Sequence, residues 1–215
     1  PLVSGGMDIV VSPLISLMKD QVDSLAAVGY PAAALHGHLS DVRRHAIERD
    51  LDNGQHRLLF VAPERLFQPG FLDRLARLDL RRIVIDEAHC ISHWGHDFRP
   101  EYRQLAVLRE RFPRASMHAF TATATQRVRD DIVEQLRLRD PAVLVGRFDR
   151  PNLVYRVFPL VDRRTQVLEV LRRHAGEASI VYCLSRKDTE VMARFLRDSG
   201  LRAAHYHAGM ERDER

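Results

Sequence analysis

Short runs of branched apolar residues alternate along the chain with longer stretches in which apolar positions recur at every third or fourth residue. The first run, Asp8-Ile9-Val10-Val11-Ser12, has the length and composition of a buried strand. Pro13 then opens a helix, where a fixed φ and a missing N–H cost nothing, and the periodicity continues to about residue 28. Ala32-Ala33-Ala34-Leu35 predicts a second, weaker strand. Ser40 is a good N-cap and Asn53-Gly54 a good terminator for the helix between them. Further strands are predicted at 57–61, 83–85, 117–120 and 142–145, with helices at 70–78, 101–111 and 126–137. Strand–helix repetition of this kind predicts an α/β fold, a parallel sheet flanked by helices on both faces. In such sheets ligands gather at the carboxyl ends of the strands.

Phe148-Asp149-Arg150-Pro151-Asn152 is a polar, proline-bearing break. The pattern then restarts, with strands at 153–158, 179–184 and 202–206 and helices at 162–174 and 187–199. Too few residues follow the break for a complete α/β domain. The predicted organisation is therefore a first domain over 1–148, a linker and strand over 149–160, and the start of a second domain over 161–215. No internal repeat or low-complexity tract interrupts it. The chain begins with Pro1 rather than Met and ends at Asp213-Glu214-Arg215 without a terminating feature, so it is expected to be an excerpt of a longer protein.

Chemistry is most concentrated in Ile83-Val84-Ile85-Asp86-Glu87-Ala88-His89. Carboxylates are expensive to bury, so two of them directly after a buried strand should emerge at its open end, where they can bind a metal. In nucleotide hydrolysis such a pair divides the labour: one carboxylate holds Mg²⁺ through water, the other orients or deprotonates the attacking water. A strand ending in a polar turn with a capping Asp is the plainer alternative for a bare pair.

Composition narrows the partners only mildly. The formal charge is +4, from 33 Lys and Arg against 29 Asp and Glu. That suits a polyanion and equally suits a solvated surface. Lys19 and Lys187 are the only lysines; arginine favours bidentate phosphate contacts, although biased codon usage gives the same ratio. Cys90 and Cys183 are too few for a disulfide framework, which points to a reducing compartment. No apolar run is long enough to span a bilayer.

Asp86-Glu87-Ala88-His89 resembles the Walker B box of superfamily 2 helicases, and Cys90-Ile91-Ser92-His93-Trp94-Gly95-His96-Asp97-Phe98-Arg99-Pro100-Glu101-Tyr102 resembles the aromatic-rich loop of the RecQ family. Further stretches are similar in the same order: Val11-Ser12-Pro13-Leu14-Ile15-Ser16-Leu17-Met18-Lys19-Asp20-Gln21 to motif Ia, Val61-Ala62-Pro63-Glu64-Arg65-Leu66 to motif Ib, Phe120-Thr121-Ala122-Thr123-Ala124 to motif III. Val181-Tyr182-Cys183-Leu184-Ser185-Arg186 resembles motif IV, and His205-Tyr206-His207-Ala208-Gly209-Met210 the segment leading toward motif V. The resemblance covers nearly the whole chain.

It implies a RecA-like sheet followed by the start of a second RecA-like domain, in an ATP-dependent 3′-to-5′ DNA helicase of DNA repair and recombination. ATP and Mg²⁺ are the implied cofactors, with zinc expected only in a segment downstream. Single-stranded and forked DNA is the implied partner, without a membrane; the protein would be cytoplasmic in a bacterium and nuclear in a eukaryote. Among the residues, Asp86 is implied to bind water-coordinated Mg²⁺, Glu87 to position the hydrolytic water, and His89 to link the nucleotide site to the loop. Thr121 and Thr123 would couple hydrolysis to domain movement. Ser12, Pro13, Pro63, Glu64, Trp94, Phe98, Arg99, Ser185 and Arg186 would contact DNA. An aromatic face stacks on any base and an arginine pairs with phosphate, so such contact is tight but sequence-tolerant.

His89, His93 and His96 with Cys90 can also be drawn as a zinc site, but their spacing matches no common ligand pattern. His36-Gly37-His38 and His205-Tyr206-His207 read as strand-end histidines without catalytic duty. Thr125 is expected to cap the helix that follows it. A phosphate loop G-x-x-x-x-G-K-[ST] is absent: neither Lys19 nor Lys187 follows one, and Gly5-Gly6 leads to Met7-Asp8. By the resemblance it would lie just before Pro1, and the arginine finger beyond Arg215, so the chain alone should hydrolyse ATP negligibly. Two alternatives stay open: another superfamily 2 motor such as an RNA helicase, and a non-hydrolysing DNA-binding or scaffold protein.

Overall fold

The computed structural model describes residues 5–146 and 150–211. Phe148 and Asp149 of the expected break, Pro1, and Asp213-Glu214-Arg215 lie outside the described residues. The chain divides into two compact units, Pro1–Leu144 and Val145–Arg215.

The first unit is built on five parallel strands: β1 (Met7–Val11), β2 (Ala32–Leu35), β3 (Leu58–Val61), β4 (Leu80–Ile85) and β5 (Ser116–Ala119), in the order β2-β3-β1-β4-β5. Helix α1 (Ile15–Ala27) joins β1 to β2, and α2 (Asp41–Asp52) joins β2 to β3. The short helices α3 (Pro63–Leu66) and α4 (Phe71–Ala76) lead to β4, while α5 (Pro100–Arg103) and α6 (Ala106–Arg111) lead to β5. Helix α7 (Gln126–Gln135) follows. Ser40 and Thr125 cap α2 and α7, their hydroxyls accepting from the N–H groups of Arg43 and Val128.

Topology decides which face each helix covers. The β1-to-β2 connection moves toward one edge of the sheet and every later one toward the other. Right-handed crossovers therefore put α1 on one face and the later helices on the opposite face. Packing agrees. Met18 of α1 is buried with Phe60 and Ala62, alongside Val10, Ala34 and Leu58. Leu51, Leu66, Leu75, Leu108 and Ile132, from α2, α3, α4, α6 and α7, share the other core with Ile9, Leu59 and Ile83. The register aligns Ile9 with both Leu59 and Ile83, so these three fully buried side chains form one row. Each contributes about 1.5–3 kcal/mol by leaving water.

Because the strands are parallel, their carboxyl ends share one edge, which presents His36, Ser12-Pro13, Pro63-Glu64, Asp86-Glu87 and Phe120-Thr121. Among the described strands only β1 sends its chain to the α1 face. The backbone therefore parts at its carboxyl end, beside Asp86 of the neighbouring strand.

Three expectations are corrected. The single helix over 101–111 is two, because its middle tightens to three-residue bonds such as Leu105 N–H to Tyr102 O at 3.2 Å, which lets both Tyr102 and Leu105 turn fully into the core. The strand over 142–145 does not form: Leu144 is 92% exposed and the segment joins no ladder. The second unit holds α8 (Arg163–Arg173) and α9 (Arg186–Asp198), packed on each other and capped by Asp162 and Ser185. Its predicted strands at 153–158, 179–184 and 202–206 form no ladder among the described residues. An apolar run supplies only half of a strand; the other half is a neighbour to take its N–H and C=O groups, and Tyr182 and Leu184 stay more than nine-tenths exposed. No described helix is long and apolar enough to cross a membrane.

Candidate functional site

Strand β4 delivers its two carboxylates to the parted edge in different ways. Asp86 is still within the ladder, its N–H donating to Val11 O at 2.9 Å. Glu87 then takes a left-handed backbone, φ 48° and ψ 43°, which turns the chain into the short 3₁₀ turn Ala88–Ile91. A side chain in that conformation costs roughly 1–2 kcal/mol. The surroundings hold it there: Glu87 N–H donates to Asp86 Oδ1 at 3.0 Å, Tyr102 OH to Asp86 O at 3.1 Å, and Ala88 N–H to Phe120 O at 2.9 Å. Ser12 Oγ donates to Asp86 Oδ2 at 3.3 Å across β1 and β4. The lip therefore presents oxygen donors, the kind a hard divalent cation takes through water.

His89 is 4% exposed and sits at the junction of three elements. Its Nδ1 lies 3.2 Å from Glu87 Oε2 and 2.9 Å from Thr121 Oγ1. A carboxylate only accepts, so Nδ1 carries the proton and shares it between the two oxygens. Thr121 Oγ1 in turn donates to Thr123 O and accepts from Thr123 N–H, each at 3.3 Å. On its face the His89 ring stacks on His96, centroids 4.1 Å apart. One imidazole thus touches the carboxylate, the threonine turn after β5, and the loop after β4.

Burial, then His96, holds the pKa of His89 below the ordinary 6.5, against the pull of Glu87. Burial also lowers that of His56, whose two ring nitrogens have no hydrogen-bond partner. Above 6.5 both rings are neutral folded or unfolded; below it the unfolded chain takes protons first. Stability should therefore fall as pH drops from 6.5 toward the folded values and then level off. Urea midpoints between pH 7.5 and 5.0 check this, and the slope should flatten in His56→Gln.

The loop from Ser92 to Arg99 folds back on this junction. Gly95 lies so close that a Cβ there would stand 2.3 Å from His89 O, so only glycine fits without moving the backbone. Arg99 binds Asp97 through Nε at 3.1 Å and a terminal nitrogen at 2.9 Å, and that pairing lowers the Asp97 pKa. Burial and Asp97 push the Cys90 thiol up to about 11, so Cys90 is an inert packing residue. His93 packs on Phe98, centroids 3.8 Å apart, and the Arg103 guanidinium carbon lies 5.6 Å from the centre of the same phenyl ring. The loop histidines do not converge: His93 is paired with Phe98 while His89 and His96 lie face to face. Trp94 points outward, 60% exposed.

The remaining candidates fall into separate places. Ser12 is fully buried and faces Asp86 rather than solvent; Pro13 beside it is half-buried. Pro63 is buried at the start of α3 and has no N–H to offer, whereas Glu64 is exposed. Ser185 and Arg186 belong to the second unit, where the Ser185 hydroxyl is engaged by Asp188 and Arg186 passes close to Gly209. Tyr102, Gly95, His96 and Arg127 take part in the site without having been singled out for roles. Tyr102 and Gly95 carry no local signal beyond their presence in the loop motif.

Residues 2–132, more than half of the 215-residue chain, match the family model described as DEAD/DEAH box helicase. The chain belongs to the DEAD/DEAH box helicase family. Within this superfamily 2 group, it is 42% identical over 210 residues to ATP-dependent DNA helicase RecQ of Pasteurella multocida, covering 98% of this chain and 33% of that protein. It is 41% identical over 218 residues to the RecQ-like DNA helicase BLM of Xenopus laevis, covering 97% of this chain and 16% of that one. The chain thus spans a third or less of these relatives' length. Among solved structures, helicase Lhr of Mycobacterium smegmatis, described as bound to ssDNA and AMP-PNP, superposes with a TM-score of 0.63 at 17% identity, covering 99% of this chain and 32% of that one. That likeness establishes the fold: the parallel sheet of this DEAD/DEAH box chain is RecA-like.

Proposed function

We propose that this chain is part of an ATP-dependent DNA helicase of the RecQ kind, which couples ATP hydrolysis to 3′-to-5′ movement along one DNA strand and displacement of the other in repair and recombination. The observation that carries the proposal is the hydrogen-bonded and stacked path Glu87–His89–Thr121 with His96 on the His89 ring. It joins a carboxylate, the threonine turn after β5 and the aromatic-rich loop through one neutral imidazole.

In this reading ATP and Mg²⁺ supply the phosphoryl group and the charge that neutralises it. The oxygen donors fit such a cation: Asp86 would hold it through water, with the buried Ser12 hydroxyl orienting the Asp86 carboxylate. Glu87 orients and accepts a proton from the attacking water. His89 keeps Glu87 in place and transmits the position of the loop. Trp94 and Phe98 offer base-stacking faces and Arg99 a phosphate partner once it leaves Asp97. Forked and single-stranded DNA are the substrates proposed, in the cytoplasm of a bacterium or the nucleus of a eukaryote.

The test is ATP turnover by the full-length protein with and without single-stranded DNA. DNA is expected to stimulate turnover, and Trp94→Ala to bring the stimulated-to-basal ratio toward one with about 5- to 150-fold weaker binding, the loss of one stacked base. Stimulation by RNA in place of DNA would move the protein to the RNA helicases. Intact DNA binding with no turnover would make it a scaffold.

A further inference from the structure

We propose that Arg127 is the backing residue of a base-stacking platform at Trp94: its guanidinium fills one face of the indole and leaves the other to a base of single-stranded DNA. The inference rests on the DNA-binding reading above and assigns that reading's central aromatic a partner from another element.

Arg127 Cζ lies 3.3 Å from the centre of the Trp94 ring, the closest of the described cation–ring contacts. The backbone beneath the indole is already fixed, since Trp94 N–H donates to Ser92 Oγ at 3.2 Å and Gly95 is wedged against His89 O. The exposed indole itself needs a support, and Arg127 provides it. Arg99 has spent its charge on Asp97, whereas Arg127 enters no ion pair among the described residues. Its charge is left to polarise the ring. An indole held on one side by a flat cation loses rotamer freedom before a base arrives, and pre-ordering of that kind strengthens stacking.

Position gives the contact a second consequence. Arg127 sits in the first turn of α7, directly after the Thr125 cap and the Thr121–Thr123 turn that bonds His89. Any shift of Trp94 on meeting a base is therefore passed to the helix start that carries the threonines, a route that runs alongside the His89–His96 stack. Arg127 is a positioning residue in this scheme, acting through Trp94.

Binding of a fluorescently labelled oligodeoxythymidine, followed by anisotropy over a series of salt concentrations, tests it with wild type, Arg127→Ala, Arg127→Lys, Trp94→Ala and the double alanine variant. Arg127→Ala is expected to bind about 2- to 5-fold more weakly, with an unchanged salt slope, and Arg127→Lys to fall between it and wild type, since lysine keeps the charge without the flat fork. In the Trp94→Ala background the Arg127 change should add nothing. Trp94 is the only tryptophan of the chain, so its emission should also shift in Arg127→Ala without DNA. Equal or tighter binding by Arg127→Ala overturns the proposal. So does a weakening that persists without Trp94 and lowers the salt slope by about one, the mark of a phosphate contact. If wild type itself fails to bind, the DNA reading falls and this proposal with it, an outcome distinct from wild type and Arg127→Ala binding alike.

Discussion

Glu87→Gln in the full-length protein is expected to slow ATP hydrolysis by about 10²- to 10⁴-fold, the range a positioned general base supplies, while nucleotide still binds. Glutamine keeps the size of the side chain and the left-handed turn at φ 48°, so the geometry around Asp86 survives. It cannot take a proton from water. The His89 Nδ1–H, now 3.2 Å from a carboxylate oxygen, can still be accepted by the amide oxygen, which keeps the path to Thr121 and the loop assembled. The expected signature is therefore a protein that binds ATP and DNA together and stalls. Single-turnover hydrolysis alongside nucleotide binding checks it, and turnover within tenfold of wild type would remove Glu87 from the role.

The second large effect is on folding. Glu48, 10% exposed in its side chain, receives Arg65 of α3 and, at 3.5 Å, Arg74 of α4, whose Nη1 also reaches Glu48 O at 3.1 Å. Helix α2 and the two short helices α3 and α4 are thereby tied together. Glu48→Ala leaves the Arg65 guanidinium, 16% exposed, without its carboxylate. Breaking one side of a buried pair costs 3–5 kcal/mol; here Arg74 keeps Asp52 and is a quarter exposed, so about 2–3 kcal/mol is expected. Urea unfolding should show a lower midpoint at unchanged slope. A loss below about 0.5 kcal/mol would mean that the pair is a solvated surface contact.

Local pattern carried much of the architecture into view. Ile83-Val84-Ile85 followed by two carboxylates reads as a buried strand opening onto an edge, and β4 ends there; Ser40 and Thr125 stand where caps are needed. What stayed hidden depends on partners distant in the chain. Tyr102 reaches Asp86 O across 16 positions, and nothing near Arg127 says that Trp94 lies above it. The 101–111 periodicity is genuine, yet its two halves bury Tyr102 and Leu105 only by tightening between them. In the second unit the apolar runs at 153–158 and 179–184 carry the composition of strands, but composition cannot supply a ladder neighbour.

The left-handed backbone at Glu87 sets fold against chemistry at a single position. Glycine would occupy that turn without the strain a side chain meets there, so drift toward glycine would relax the backbone while deleting the carboxylate to which the proposed reaction assigns the attacking water. Screens that reward thermal endurance alone would enrich such silent molecules. Any attempt to evolve this protein therefore has to select on turnover at the same time.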